Sequence, residues 1–473
     1  MHIIDSFYLD GEWRKVMRRP THALINPATE DIYGEVALGS REDVASAVDA
    51  AQRAFVSYGS SPLDERLALL EKVLEIYTRR YDEFVSAITL EMGAPVTLAR
   101  VAQAATGVDH LNAAINMLRN TIPERRIGNA TIHREPIGVC ALITPWNWPI
   151  SQIMCKVAPA LAAGCTMVLK PSELTPLSAH MLAEVLDEAG VPSGVFNMVH
   201  GTGPTVGAAM ASHPDVDMVS FTGSTAAGIE VAIRAAPTVK RVCQELGGKS
   251  ANILLPDVDF EQAVTQAVRL CMENTGQSCN APTRLLVPAD KHTEVLAIAT
   301  AAADKLKVGD PRDPETDIGP LVSRSHFERV QAHLTTGTRE GALLVTDRDD
   351  GRVLPNAGYF LAPAIFGRVA PDMAIAQEEI FGPVLSVISY RDESDAIRIA
   401  NGTRYGLSAY VSGADPDRAL SVATRLRAGN VHINGAALGA EVPFGGFRQS
   451  GNGREQGRYG FEEYTEIKAI LHA

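Results

Sequence analysis

VCALI (139–143), TMVLK (166–170), VFNMV (195–199) and MVSF (218–221) are short apolar runs separated by stretches of helical pattern, and their alternation decides the fold. The stretch from Thr175-Pro176 to Gly190 begins with a cap residue and a proline and ends in glycine, as helices do. Strands alternating with helices predict right-handed crossovers and a parallel sheet covered on both faces. In such a sheet, ligands bind at the carboxyl ends of the strands. A second alternating region starts near residue 248, with strand candidates TRLLV (283–287), VLSVISY (384–390), LSAYVS (407–412) and NVHIN (430–434).

Upstream, Leu67, Leu70, Leu74, Tyr77, Tyr81, Phe84 and Ile88 recur at steps of three and four and predict one long amphipathic helix. Within 119–136, two extended arms flank Gly128-Asn129, a hairpin pattern with little core of its own. A short C-terminal strand is expected around 465–471. The fold class read from these patterns is α/β, with two Rossmann-like parallel-sheet domains and a small β-hairpin arm for oligomerisation. The expected boundaries are 1–118 with 137–247 for the first domain and 248–448 for the second. Residues 119–136 and 449–473 form the arm and C-terminal segment. A chain of 473 residues exceeds what one core organises, which fits two domains.

Composition excludes several roles. Lys plus Arg number 43 against 56 acidic residues, a net charge of −13, with no basic cluster interleaved with aromatics, so nucleic acid is not an expected partner. The longest apolar run, Val157 to Leu169, lies between Lys156 and Lys170 and is too short to span a bilayer, so no membrane association is expected. The N-terminus does not read as a signal peptide. The six cysteines form no C-x-x-C pair, so neither a metal site nor a disulfide framework is expected, and a cytoplasmic location fits.

A free cysteine is by default a small buried hydrophobe. Cys279 departs from that default, because NTGQSCNAPTR (274–284) sets it among small and polar residues just before a strand. A thiol must become thiolate to attack, so it needs a neighbouring base. QELGGKS (244–250) offers Glu245, whose bland reading is a strand-end carboxylate in a salt bridge. GGKS also ends like a phosphate loop, but that pattern needs glycine where Cys243 stands.

ITPWNWPI (143–150) fixes a rigid loop with two prolines around Trp146, Asn147 and Trp148. An amide presented there can donate to a developing oxyanion, although W-N-W is more often packing. LKPSE (169–173) puts Lys170 and Glu173 at a strand's carboxyl end, where the carboxylate can accept from ribose hydroxyls. SFTGSTAAG (220–228) reads as strand, turn and helix start, with Gly223 and Ser224 presenting backbone N–H groups to a pyrophosphate.

These segments occur in one chain in a family's order, together with EEIFGPV (378–384) and PFGGFRQSGNGRE (443–455). The chain resembles the NAD(P)-dependent aldehyde dehydrogenase superfamily over essentially its whole length, in its hydrolytic, non-acylating branch. The resemblance implies that Cys279 attacks the aldehyde, that Asn147 and the Cys279 N–H hold the oxyanion, and that Glu245 activates the water that hydrolyses the thioester. Lys170 and Glu173 would hold the adenosine ribose, Ser224 with Gly223 the pyrophosphate, and Glu379 and Phe381 the nicotinamide ribose and ring. Trp146 is assigned to the same cofactor side, which makes the first domain the NAD-binding one and 248–448 the catalytic one. Glu173 should repel a 2′-phosphate, so NAD is expected over NADP, with NADP still possible.

Glu455 matches a proposed proton relay, or forms a surface or interface salt bridge. Arg241, Arg454 and Glu466 are expected as a buttress near a subunit interface, in a homodimer or homotetramer. Trp148, Cys155 and Phe444 are assigned to the aldehyde pocket. Cys155 and the loop NGAALGAEVPF (434–444) make that pocket poorer in aromatics than in relatives. Such a pocket is expected to be wider and apolar, with no Arg in these loops to fix a second carboxylate, so an uncharged aliphatic or aromatic aldehyde is expected over a semialdehyde acid. The rival readings are a dehydrogenase that passes the thioester to coenzyme A, against which Glu245 counts, and an inert structural relative.

Overall fold

The computed structural model describes residues 1–120, 124–346 and 354–473, and residues 121–123 of the expected arm lie outside them. Among the described residues the first sheet has eight strands. Its parallel centre runs Arg241–Glu245, Met218–Thr222, Val139–Ile143, Thr166–Lys170, Phe196–Met198. Every residue of Val139–Ile143, Thr166–Lys170 and Met218–Thr222 is buried, as helices on both faces require. Antiparallel strands close the edges: Gly451–Asn452 beside Arg241–Glu245, and the hairpin Ser6–Leu9/Glu12–Lys15 beside Phe196–Met198. From Val139–Ile143 the chain winds outward in one direction, then crosses back to lay Met218–Thr222 on the other side. That reversal is a topological switch point, where the loops after the two strands diverge and leave a crevice.

Among the described residues the second sheet has seven strands, ordered Leu343–Leu344, Ala364–Gly367, Val384–Tyr390, Arg284–Pro288, Ala251–Leu254, Ser408–Ser412, Asn430–Ile433, all parallel except the first. Cys279 and Phe381 precede the strands Arg284–Pro288 and Val384–Tyr390. The second sheet thus carries its chemistry at strand amino ends, whereas the rule used on the sequence looks to carboxyl ends. The hairpin forms as Glu124–Ile127 and Ala130–Pro136, and Thr465–Leu471 pairs with the second arm to make a separate three-stranded sheet.

Two local expectations change. The long helix is two, Leu63–Arg79 and Tyr81–Met92, broken at Arg80 with φ −95° and ψ 11°. Arg80 bonds Glu83 and Glu184, and Asp82 and Glu83 suit the positive end of the new helix. The apolar stripe continues across the break because Tyr77 still stacks on Phe84, 4.5 Å between centroids. Thr175 precedes the helix Pro176–Glu188, but its side chain makes no capping bond. Buried Glu91 does so from another helix, accepting the Leu177 N–H at 2.7 Å and the Ser178 N–H at 3.1 Å.

Candidate active site

The loop leading to Cys279 is set by three consecutive left-handed residues, Asn274, Thr275 and Gly276, with φ of 53°, 59° and 69°. Asparagine and glycine tolerate that region, but a β-branched threonine does not, at a cost of about 1–3 kcal/mol. Contacts made far along the chain hold it. Thr275 donates to the Gly319 carbonyl at 3.1 Å, and Gln103 donates to the Asn274 side-chain oxygen at 2.8 Å. Gln277 donates to the Asn274 carbonyl at 3.1 Å and accepts the Val322 N–H at 3.0 Å. A Cβ on Gly276 would lie 2.1 Å from the Gly382 oxygen. Gly276→Ala should therefore lower stability by about 2 kcal/mol or more. Chemical denaturation midpoints test this, and an unchanged midpoint would mean that the loop is not strained.

The loop after Val139–Ile143 is stitched to the cysteine loop. Asn147 is buried and donates to the Gln277 carbonyl at 3.0 Å, its own carbonyl accepts from Asn274 at 2.9 Å, and Trp148 donates to Ser278 at 2.8 Å. One Asn147 amide hydrogen remains for another acceptor. Cys279 is half-buried, and burial, then Glu379, Glu245 and Glu455, push its thiol up, opposed by the Asn280 N–H. The resting sulfur is thus a thiol.

Glu245 ends the strand Arg241–Glu245. It is 2% exposed, and neither carboxylate oxygen has a partner. The salt bridge of the bland reading is absent. Burial, then Glu455, hold its carboxyl well above the usual range, and Lys156 and Arg454 pull the other way. Glu455 is buried in an ion pair with Lys156, which also donates to Thr222 at 2.8 Å. This pair lies in the interior, not at the surface or interface that one of the two sequence readings of Glu455 expects. Cys155, on the helix Pro149–Ala163, donates its thiol to the other Glu455 oxygen at 3.3 Å. Phe444 pairs antiparallel with Glu455.

A cavity of about 320 Å³ opens at the switch point between the two sheets. It brings together Cys279, Glu245 and Asn147 with Trp146, Gly223, Ser224, Glu379 and Phe381. Ser224 caps the helix Thr225–Ala235 by accepting from Ala227, so the first N–H groups of that helix stay free at the cavity. Gly228 lets this helix approach, since a Cβ there would sit 2.6 Å from Leu246. Glu379 accepts the Gly248 N–H at 3.0 Å, and burial pushes its carboxyl up to about 7. The rings of Trp146 and Phe381 meet edge to face at 5.5 Å. Helix N–H groups, a carboxylate and aromatic rings along one crevice suit a dinucleotide's pyrophosphate, ribose and ring.

Lys170 and Glu173 pair at 3.1 Å one strand farther along and do not line this cavity. Lys170 also donates to the Pro171 and Gly201 carbonyls, both at 2.8 Å, which leaves Glu173 as the freer partner. Trp148, Cys155 and Phe444 do not line it either. Of the expected buttress, Arg241 meets Glu466 at 2.8 Å, whereas Arg454 turns to the Gly446 carbonyl and the Phe447 ring. Arg454 and Arg241 both bond Glu463, through the Arg454 N–H to its carboxylate at 3.1 Å and through the Arg241 guanidinium to its carbonyl at 2.6 Å. The sequence reading passed over Arg329, which lines the cavity and donates to His326 at 3.0 Å, while His326 meets the carbonyl of left-handed Phe381 at 2.7 Å. Nothing in SRSHFERV marks either residue. Among the described residues no group of three His, Cys, Asp or Glu could hold a metal, and no helix is long and apolar enough to cross a membrane.

The family model described as "Aldehyde dehydrogenase family" matches residues 13–470. The chain belongs to the aldehyde dehydrogenase family. This aldehyde dehydrogenase is 54% identical over 470 residues to a 3-succinoylsemialdehyde-pyridine dehydrogenase of a Pseudomonas species, covering 98% of each chain. It is 49% identical, with a TM-score of 0.96, to a mutant of aldehyde dehydrogenase C from Pseudomonas syringae solved with NAD+ and octanal, covering 99% of this chain and 96% of that one. A Mycobacterium tuberculosis aldehyde dehydrogenase solved with NAD+ is 38% identical with a TM-score of 0.96, covering 100% and 98%. The fold class and the family resemblance read from the sequence are both borne out.

Proposed function

We propose that this aldehyde dehydrogenase oxidises an uncharged aldehyde to its carboxylic acid with NAD, through a thioester on Cys279 that water resolves. The observation that carries the proposal is the convergence of Cys279, Asn147 and the unpartnered Glu245 in one cavity with the helix N-terminus and Glu379. Cys279 gives its thiol proton to solvent water, the thiolate adds to the carbonyl carbon, and the free Asn147 amide hydrogen and the Cys279 N–H hold the oxyanion. Such a donor is worth roughly 2.7–4 kcal/mol. NAD, when bound, supplies the acceptor for the departing hydride. Glu245 then removes a proton from water as that water attacks the thioester, which releases the acid and returns the thiolate. Ser224 and Gly223 would hold the pyrophosphate, Glu379 the ribose, Phe381 and Trp146 the ring, and Lys170 and Glu173 the adenosine ribose.

On this reading residues 1–118 with 137–247 form the cofactor domain and 248–448 the nucleophile domain. The two relatives named for an aldehyde carrying a pyridine ring and solved with octanal support neutral substrates over semialdehyde acids. A homodimer or homotetramer is supported by apolar residues left on two surfaces, Ile229, Ile233 and Val239 near one helix and Ile127, Ile467 and Leu471 on the arm. A cytoplasmic location fits the six free cysteines.

Absorbance of reduced cofactor on mixing enzyme, NAD and a neutral aldehyde, without coenzyme A, tests the reaction; a strict need for coenzyme A would reject it. Glu173 is held ionised against burial by Lys170, so a 2′-phosphate meets a fixed negative charge. kcat/KM with NAD should exceed that with NADP by about tenfold or more. Equal use of the two cofactors would remove Glu173 from this role.

A further inference from the structure

Cys279 sits in a β-turn. The Ala281 N–H donates to the Ser278 carbonyl at 3.1 Å, which makes Cys279 and Asn280 the two central residues. The peptide between them takes no part in the turn's own hydrogen bond. Rotating it converts one common turn type into another, in which the third residue has positive φ and asparagine is accepted. Taken alone, this turn could therefore present the Asn280 N–H on either of two faces. Here Asn280 keeps a negative φ. Its N–H favours the Cys279 thiolate, against burial and the charges of Glu379, Glu245 and Glu455.

Two contacts from the second domain select this arrangement. The Cys279 carbonyl lies against Gly248, where a Cβ would come within 2.5 Å of its oxygen. The Asn280 carbonyl accepts from the Tyr410 hydroxyl at 3.2 Å. Tyr410 is buried on the strand Ser408–Ser412, and burial holds its phenol well above the ordinary range, so the hydroxyl stays a donor. Its ring lies flat on that of His432, its register partner on Asn430–Ile433, with centroids 4.5 Å apart and planes 11° apart. His432 is fixed in turn, because its Nδ1 is 2.7 Å from the Ala436 carbonyl. A carbonyl only accepts, so Nδ1 carries the proton. Neither Tyr410 nor His432 lines the cofactor-side cavity.

We propose that Tyr410, backed by His432, is a positioning residue for the nucleophile: its hydroxyl holds the Ser278–Ala281 turn in the arrangement that keeps the Asn280 N–H on the Cys279 sulfur. The inference rests on the reading that Cys279 attacks the aldehyde. The test is the rate of Cys279 alkylation by iodoacetamide against pH, read from the mass of the Cys279 peptide. Tyr410→Phe keeps the ring and the stack and loses only the donor. Its curve should lie about half a pH unit or more above that of the wild type, a fall of about threefold or more at fixed pH. The burst of reduced cofactor should slow by a similar factor, while affinity for reduced cofactor, read by its fluorescence, should not change. His432→Leu removes the flat partner and should displace the curve in the same direction, whereas His432→Phe restores a ring and should bring it most of the way back. A Tyr410→Phe curve that coincides with the wild type would overturn the proposal, as would a displaced curve accompanied by an equal loss of cofactor affinity. Full aldehyde oxidation by wild-type enzyme alkylated on Cys279 would instead overturn the reading of Cys279 as the nucleophile.

Discussion

Cys279→Ala should abolish aldehyde-dependent formation of reduced cofactor, lowering kcat/KM by about 10⁴-fold or more, because among the described residues no second thiol lines the cavity. The other five cysteines are all buried. Among the described residues none of these five lines the cavity, and Cys165 is sealed against the Tyr464 carbonyl at 3.2 Å. Half-buried Cys279 is the sulfur that opens on the cavity with Glu245 and Asn147. The substitution deletes one atom at the edge of an open space, so binding of the reduced cofactor, read by its fluorescence, should persist. Activity within tenfold of wild type would place the nucleophile elsewhere.

Glu245→Gln should separate the two half-reactions. Acylation of Cys279 should still proceed and give a burst of reduced cofactor near one equivalent per site. The steady rate that follows should fall by about 10²–10⁴-fold, the usual worth of a positioned base. The pH dependence gives a second readout of the same residue. Glu245 must be ionised to accept a proton, and its carboxyl is held well above the usual range by burial and then by Glu455. Turnover should therefore climb as pH rises through that raised pKa, on a limb displaced above the ordinary carboxylate value of about 4.3. The limb should vanish in Glu245→Gln. A glutamine variant with full steady turnover would leave Glu245 without this role, and coenzyme A would then become the natural acceptor to test.

Many strands of both sheets were legible because parallel strands buried on both faces read as continuous apolar runs, whereas the short strands Ala251–Leu254 and Ala364–Gly367 were not. VCALI, TMVLK and VLSVISY coincide with the observed strands. The break at Arg80 was not legible, since the apolar period runs through it and only the ion pairs with Glu83 and Glu184 mark it. Cys279, Glu245 and Asn147 stood out as residue types at element ends. Their supports did not: Gln103, Thr275 and Gln277 act through contacts with residues far along the chain.

The most direct measurement of the account is the mass of Glu245→Gln quenched after mixing with NAD and a neutral aldehyde. The account predicts one acyl group per chain, located by peptide mapping on Cys279. An unmodified Cys279 peptide from enzyme that is visibly producing reduced cofactor, or acyl on a different residue, would contradict it.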